Sequence, residues 1–252
     1  MTVSLEVSHN IATITFANPP HNALPGSTLA ELVDAIHQAG SDPGTRVIVL
    51  QSAGNRTFCA GASFEELMAV SDLTSGKAFF MGFAHVINAC RTSPKLIVGR
   101  IQGKAVGGGV GIAAAVDYCI ATKYASVKLS ELALGIGPFV VGPAVERKIG
   151  TSAMSQLAIN ATEWQTAAWA KDKGLFAEVF DSVEQLDAYI AGFTARLRDS
   201  SPDAMTRLKQ MFWQGCDHWD DLLAERAAIS GQLVLSEYTR NAIRQFKDRK
   251  ES

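Results

Sequence analysis

The sequence lacks the marks of several protein classes. No cluster of lysines and arginines is present among its 252 residues, and the formal net charge is −2, so neither nucleic acid nor an anionic membrane surface is an expected partner. The sequence contains no window of about 18 continuous apolar residues, so we expect no membrane span. The first residues alternate like a strand instead of forming a basic and then apolar signal peptide. We therefore expect a cytoplasmic protein.

Disulfide and metal patterns are absent as well. The five histidines form no H-x-x-x-H pair, so we expect no dedicated metal site. The cysteines form no C-x-x-C pair, and in a chain of this size we expect buried, reduced thiols at Cys59, Cys90, Cys119 and Cys216. His85 and Cys90 lie on an apolar helical stretch, where we expect both to pack in the core.

What the sequence has is alternation of strand and helix patterns, followed by a helical tail. The segment SLEVSHNIATITFA predicts a hairpin, and RVIVLQSA and KLIVGRIQ predict short buried strands. From about residue 181 onwards the apolar spacing predicts helices only. The order of a strand followed by a helix recurs along the chain, but the sequence shows no repeat of fixed period. These patterns indicate an α/β protein with an all-helical C-terminal region.

Several helix boundaries follow from caps and stops. We expect the helix STLAELVDAIHQAG to be capped by Ser27 or Thr28 and to stop at Gly40. Two later helices are expected to stop at Gly150 and Gly174. The stretch GIAAAVDYC is expected to be helical throughout, because alanine is the best helix former.

A glycine cluster stands directly before that alanine run, in the stretch GKAVGGGVGIAAAVD. One interpretation is close packing of a helix on a strand. A second is that an unpaired N–H at the helix start, at the positive end of the helix dipole, faces an oxygen that gains negative charge. A third is the dinucleotide fingerprint GxGxxA, with Glu131 as its acid. The position of Glu131 argues against a nicotinamide enzyme, because Lys123, not an acid, ends the strand that follows the helix.

A second turn of small residues favours the oxyanion interpretation. The stretch FCAGASFEEL also runs through small residues into a helix, and an oxyanion hole normally needs two donors. In this helix we expect Glu65 and Glu66 to stabilise the first turn rather than to act in catalysis.

The combination of FCAGASFEEL, IQGKAVGGGVGIAAAVDYCIAT and LSELALGIGP resembles the enoyl-CoA hydratase/isomerase family, the crotonase superfamily. The resemblance implies an α/β fold in which repeated β-β-α units form a crotonase-like spiral. It implies an acyl-CoA-binding core over residues 1–190 and a C-terminal helical region over residues 191–252 that packs on the core or on a neighbouring subunit. A homotrimer or a dimer of trimers is expected. No cofactor is expected, because CoA is part of the acyl-CoA thioester substrate.

The resemblance also implies roles for individual residues. The backbone N–H groups of Ala62 and Gly108 would polarise the thioester carbonyl and hold an enolate. Glu131 matches a catalytic acid of the family. Ser63 would donate to the substrate or cap a helix. Residues implied to contact the substrate or its CoA are Asn22, Ala23, Leu24, Ala60, Ser63, Gly107, Phe139 and Lys247, the last of these through a CoA phosphate.

The acids are where the sequence departs from the family. Hydratases of the family carry a second glutamate at the position of Gly111, and some isomerases carry an acid at that of Phe139. With Val140 and Val141 next in sequence, this wall is expected to be apolar. A lone Glu131 facing such a wall would have a raised pKa and would suit a single-base enoyl-CoA isomerase. Hydration or dehydration, decarboxylation, and a non-catalytic acyl-CoA-binding subunit are the alternatives.

Overall fold

The computed structural model describes the backbone of residues 2–251 and the side chains of residues 2–245. The strands within this range are β1 (Val3–Ser8), β2 (Ile11–Phe16), β3 (Ala23–Leu24), β4 (Val47–Ser52), β5 (Thr57–Cys59), β6 (Gly61–Ala62), β7 (Leu96–Ile101), β8 (Lys104–Val106), β9 (Tyr118–Thr122), β10 (Ser126–Lys128), β11 (Gln165–Thr166) and β12 (Glu178–Phe180). The helices are α1 (Gly26–Ser41), α2 (Phe64–Ala69), α3 (Leu73–Thr92), α4 (Gly108–Ala115), α5 (Gly142–Ile159), α6 (Ala167–Asp172), α7 (Val183–Arg198), α8 (Pro202–Phe212), α9 (Trp219–Leu233) and α10 (Glu237–Glu251).

The strands form one large and two small sheets. The large sheet has the order β1-β2-β4-β7-β9-β12, in which only the β1–β2 hairpin is antiparallel. A four-stranded sheet has the order β11-β10-β8-β5, and β3 pairs with β6. Helices cover the parallel strands β4 and β7 on both faces, so nearly all of their side chains are buried. The predicted α/β fold with its N-terminal hairpin is therefore confirmed.

The C-terminal helices pack on the body of this same chain. Helix α9 lies against α3 so closely that a Cβ added to Gly76 would be 2.7 Å from the carbonyl oxygen of Gly231. Leu186 and Ile190 of α7 pack on one face of the large sheet, in a cluster with Val98. The expected core boundary after residue 190 falls inside α7. None of the helices in the described range is long and apolar enough to cross a bilayer.

Asp117, which follows α4, ties the tail to the body through a buried carboxylate. Its Oδ2 atom accepts the Ile97 N–H at 2.8 Å and lies 2.9 Å from Nζ of Lys209 on α8. Its Oδ1 atom accepts the indole N–H of Trp213 at 3.1 Å. The carboxylate thus joins the start of strand β7 to the end of helix α8, and it is paired and hydrogen-bonded as a buried charge must be.

The start of α1 corrects a sequence prediction. The helix begins at Gly26 with Pro25 as its N-cap, not at Ser27 or Thr28, and Thr28 is fully buried in the core. Glu66 of α2 takes over the capping, since its Oε2 accepts the Gly26 N–H at 2.8 Å. A carboxylate distant in sequence stabilises the helix N-terminus here, which a local pattern cannot show.

Other boundaries follow the sequence, with the end of α4 as the exception. The chain bends at Gly150 inside α5 with φ 74°, as expected of a stop, and Gly174 has φ 85° after α6. Helix α4, by contrast, ends at Ala115 instead of running to Cys119, because the following Asp117 is bound to strand β7. His85 is exposed and not in the core, whereas the four cysteines are buried and free as predicted.

Candidate active site

A cleft of about 1440 Å³ lies where the small sheets meet helices α3, α4 and α10. Its lining has two chemically different parts. We call one the cationic group, which comprises His21, Arg56, Lys104, Lys128 and Trp164. We call the other the apolar group, which comprises Phe64, Leu67, Phe79, Phe80, Leu134 and Ile136. The apolar group is packed together in one cluster.

Lys104, Lys128 and Trp164 form the centre of the cationic group. The Nζ atoms of Lys104 and Lys128 lie 5.0 and 4.7 Å from the centre of the Trp164 ring, within range for cation–π attraction. Burial and the charge of Lys104 lower the pKa of Lys128. No motif in the sequence indicates this group. The available signal was one lysine in each of two short strands, which the sheet order places side by side as β8 and β10.

The glycine cluster forms a sharp turn into α4. Gly107 has φ 52°, which favours glycine, and its N–H donates to the Lys128 carbonyl at 2.9 Å. Gly108 is the first residue of the helix, so its N–H has no acceptor within α4. A Cβ on Gly108 would lie 2.2 Å from Cε1 of Phe83, so only glycine fits against this ring. Both glycines line the cleft.

Ala62 brings a second amide to the same place. The Ser63 N–H donates to the Leu24 carbonyl across the β3–β6 pair at 2.9 Å. Because successive N–H groups alternate along a strand, the Ala62 N–H points away from β3. A Cβ added to the preceding Gly61 would lie 3.8 Å from the Gly108 nitrogen, so the two turns adjoin. The arrangement suits two donors converging on one oxygen.

Glu131 follows β10 and precedes a short 3-10 turn, Leu132–Leu134. Its carboxylate reaches the glycine turn, since a Cβ added to Gly107 would lie 2.9 Å from Glu131 Oε1. The Oε2 atom is buried and has no hydrogen-bond partner among the described residues. Burial raises the pKa of Glu131 to about 7, opposed in part by its own backbone N–H. A carboxyl with this pKa can accept and return a proton near neutral pH.

The wall beyond the glycine turn is apolar. Phe139, Val140 and Val141 line the cleft as expected, and Val141 is packed against α4 at Gly111. A Cβ on Gly111 would be 2.5 Å from Cγ1 of Val141, so this valine fills the space that a side chain there would need. Among the described residues that line the cleft, Glu131 is the only carboxylate.

The structure brings together most of the predicted site residues, but not all of them. Those that line the cleft are Ala23, Ala60, Ala62, Gly107, Gly108, Glu131 and Phe139. Asn22, Leu24 and Ser63 do not line it. The Asn22 amide donates to backbone carbonyls of residues 53, 57 and 58, which fixes the loop before β3. Ser63 Oγ accepts the Glu66 N–H and so caps α2. Lys247 lies among residues 246–252, whose side chains are outside the described part of the structure.

A spiral of β-β-α units with two such turns meeting at one cleft defines a crotonase-fold protein. The chain belongs to the enoyl-CoA hydratase/isomerase family, whose model matches residues 6–250. It is 28% identical over 250 residues to a probable enoyl-CoA hydratase of Bacillus subtilis (strain 168), covering 98% of this chain and 96% of the relative. It is 27% identical over 252 residues to a short-chain-enoyl-CoA hydratase of Clostridium acetobutylicum, covering 98% and 95%. The crystal structure of an enoyl-CoA hydratase from Bacillus halodurans has the same fold, with a TM-score of 0.90 at 21% identity over 97% of this chain and 100% of that one.

Proposed function

We propose that this protein is an enoyl-CoA isomerase that moves a double bond from the 3- to the 2-position of an acyl-CoA thioester, with Glu131 as its single base. The observation that carries the proposal is that Glu131 is the one carboxylate among the described residues that line the cleft. It is buried, it adjoins the Gly107–Gly108 turn, and its pKa is about 7. A base of this kind is well matched to taking up and releasing a proton at neutral pH.

The proposed reaction has two proton transfers. Glu131 removes a proton from C2 of the 3-enoyl thioester, and the electron pair of that C–H bond is delocalised through the thioester carbonyl and the C3–C4 double bond as a dienolate. The protonated Glu131 then delivers the same proton to C4, which leaves the double bond between C2 and C3. No electrons are gained or lost and no water is used, so the reaction needs no cofactor beyond the CoA of the substrate.

The backbone N–H groups of Ala62 and Gly108 are the proposed oxyanion donors. Negative charge develops on the thioester oxygen as the C2 proton leaves, and two preorganised donors stabilise that charge without rearranging. The position of Gly108 at the start of α4 adds the positive end of the helix dipole. The carbonyl would therefore be held at the turn that Glu131 also reaches.

The two parts of the cleft support an acyl-CoA as the ligand. The cationic group suits the phosphates of the CoA nucleotide, and Trp164 offers an aromatic surface for a base. The apolar group suits an uncharged acyl chain, because a carboxylate buried among phenylalanines would lack a partner. The homotrimer or dimer of trimers implied by the resemblance stays a prediction.

Water addition to a 2-enoyl-CoA is the second candidate function. The relatives named above are called enoyl-CoA hydratases, which favours this reaction class. Against it stands Val141, which fills the space beside Gly111 where family hydratases carry a second glutamate.

The test compares the two reactions in one preparation. Purified protein is incubated with a 3-enoyl-CoA and, separately, with a 2-enoyl-CoA, while absorbance of the conjugated thioester is followed. We expect the 3-enoyl substrate to gain conjugation and the 2-enoyl substrate to resist hydration. We expect Glu131→Gln to abolish isomerisation while still binding the thioester, and the control Glu65→Gln, an exposed acid outside the cleft, to retain full activity. Rapid hydration by the unaltered protein would replace the isomerase proposal with the second candidate.

A further inference from the structure

We propose that Thr239, on the C-terminal helix α10, is a positioning residue that holds the turn carrying Glu131 in place. This inference rests on the proposed role of Glu131 as the base. It assigns to α10 a part in the chemistry, beyond covering one side of the cleft.

The position of the Glu131 carboxylate depends on backbone rather than on side-chain partners. Its Oε2 atom has no hydrogen-bond partner in the described range, so no neighbouring side chain orients it there. The backbone of Glu131 is, however, firmly held. Its carbonyl accepts the N–H groups of both Leu134 and Ile136, each at 3.0 Å. The carboxylate therefore moves with the turn formed by residues 131–136.

Thr239 holds this turn from outside the cleft. Its Oγ1 donates to the carbonyl of Gly135 at 3.1 Å. Oγ of Ser236 donates to Oγ1 of Thr239 at 3.1 Å and also accepts the Thr239 N–H at 3.2 Å, which fixes the direction of the threonine hydroxyl. Thr239 is fully buried, so water does not replace these bonds.

Close packing reinforces the hydrogen bond. Gly135 has φ 80°, and a Cβ on it would lie 2.6 Å from both Thr239 Oγ1 and Cδ1 of Tyr238. On the other side of the turn, Ile136 packs in one apolar cluster with Ile243 of α10. Helix and turn thus fit together with no room to slide, and a shift of α10 would displace Glu131.

The test uses variants that separate the hydroxyl from the volume of the side chain. Thr239→Val keeps the shape and removes the hydroxyl, whereas Thr239→Ser keeps the hydroxyl. The matched control is Thr122→Val, since Thr122 is equally buried and its hydroxyl donates to the Gln102 carbonyl at 2.8 Å, away from the cleft. Each variant is assayed for kcat and KM, and the Glu131 carboxyl is titrated by carbon-13 NMR.

We expect Thr239→Val to lower kcat by about tenfold with KM changed less than about twofold, because the base is misplaced while the CoA site is intact. We also expect its Glu131 titration to move below that of the unaltered protein, since a loosened turn lets water reach the carboxyl. Thr239→Ser and Thr122→Val should match the unaltered protein within about twofold. If Thr239→Val does not fold, Ser236→Ala should give a smaller shift in the same direction.

The outcomes distinguish this inference from the proposed function. Two outcomes would overturn the positioning role even if Glu131→Gln is inactive. One is an equal loss of kcat in Thr239→Val and Thr239→Ser, and the other is an unchanged kcat and Glu131 titration in Thr239→Val. A shifted titration in Thr239→Val, in a protein whose Glu131→Gln variant keeps its activity, would support the positioning role and overturn the proposed base.

Discussion

The starts of helices α2 and α4 look alike in sequence but differ in how their amides are satisfied. At α2, the Ser63 hydroxyl accepts the Glu66 N–H at 3.3 Å, and two glutamates occupy the first turn. At α4, Gly107 provides no side-chain cap, no acid lies in the first turn, and all eight residues of the helix are buried. The start of α2 therefore has a side-chain cap and negative charge from its own residues, whereas the start of α4 has neither. We call the start of α4 the open start.

The difference shows that small residues before a helix do not by themselves make an anion site. Ala62 belongs to strand β6, so its N–H would donate as a strand amide, independently of the capped start of α2. Gly108 would donate from the uncapped start of α4, where the positive end of the helix dipole lies. The two proposed donors thus differ in kind, one being a strand amide and the other a helix N-terminal amide. Substitutions at and around the two helix starts test this difference.

The largest effect is expected from filling the open start. Gly108→Ala places a methyl group against Phe83, whose Cε1 and Cζ atoms would lie 2.2 and 2.3 Å from it. The alanine keeps its backbone N–H, but the clash displaces this amide or the ring, so we expect kcat/KM for the isomerisation to fall by about 100- to 1,000-fold, as for an oxyanion donor that no longer reaches the oxyanion. Adding Phe83→Ala should recover part of the rate. A Gly108→Ala variant within tenfold of the unaltered protein would contradict the expectation that the fit of Gly108 against Phe83 sets the position of this amide.

A second effect is expected from placing an acid on the open helix. Gly111→Glu forces a carboxylate against Val141 in a buried site, and we expect the free energy of unfolding to fall by about 3 kcal/mol or more. Urea denaturation measures this loss. Gly111→Glu combined with Val141→Gly should regain stability and add water to a 2-enoyl-CoA. A stable double variant without hydration would mean that Val141 does not control the choice of reaction.

A third test titrates the acid beside the open helix. The pKa of Glu131 is about 7 in the folded protein against 4.5 for a free glutamate, so the folded state binds this proton more tightly. The resulting stability is complete below about pH 4.5 and is lost as pH rises through 7. Relative to Glu131→Gln, the unaltered protein should lose about 3 kcal/mol between pH 4 and pH 8 in urea unfolding. Parallel pH profiles for the two proteins would contradict the raised pKa.

The smallest effect is expected from uncapping α2. Ser63→Ala removes the acceptor of the Glu66 N–H, and we expect a loss of about 1 kcal/mol in unfolding free energy. Isomerisation should stay within about twofold, because Ser63 does not line the cleft. Ser63→Asp should restore stability. A large fall in kcat for Ser63→Ala would instead place this hydroxyl on the substrate.

Features of the fold and of the site that depend on neighbouring residues could be predicted from the sequence. Alternation predicts the first hairpin, and the positive φ of Gly150 and Gly174 falls where glycines stop apolar helical patterns. The two small-residue turns and Glu131 also follow from motifs, and the structure places all of them at one cleft.

What the sequence could not show depends on contacts between distant segments. The cap of α1 by Glu66 joins residues 40 positions apart, and the bond from Thr239 to Gly135 joins residues 104 positions apart. The contact between Gly111 and Val141 likewise appears only when α4 and α5 are packed together. Periodicity and capping patterns describe single elements, so none of these pairs leaves a mark in a local window.

The buried carboxylate of Asp117 has a consequence for any attempt to express the body by itself. A chain truncated after residue 190 would lack both Lys209 and Trp213, so the Asp117 carboxylate would lose its ion pair and its indole donor and keep the Ile97 N–H. Leaving a buried charge unpaired costs about 3–5 kcal/mol, a large share of the stability of an ordinary domain. We therefore expect a fragment that ends at residue 190 to be less stable than the full chain, because the helical tail supplies the partners of this carboxylate.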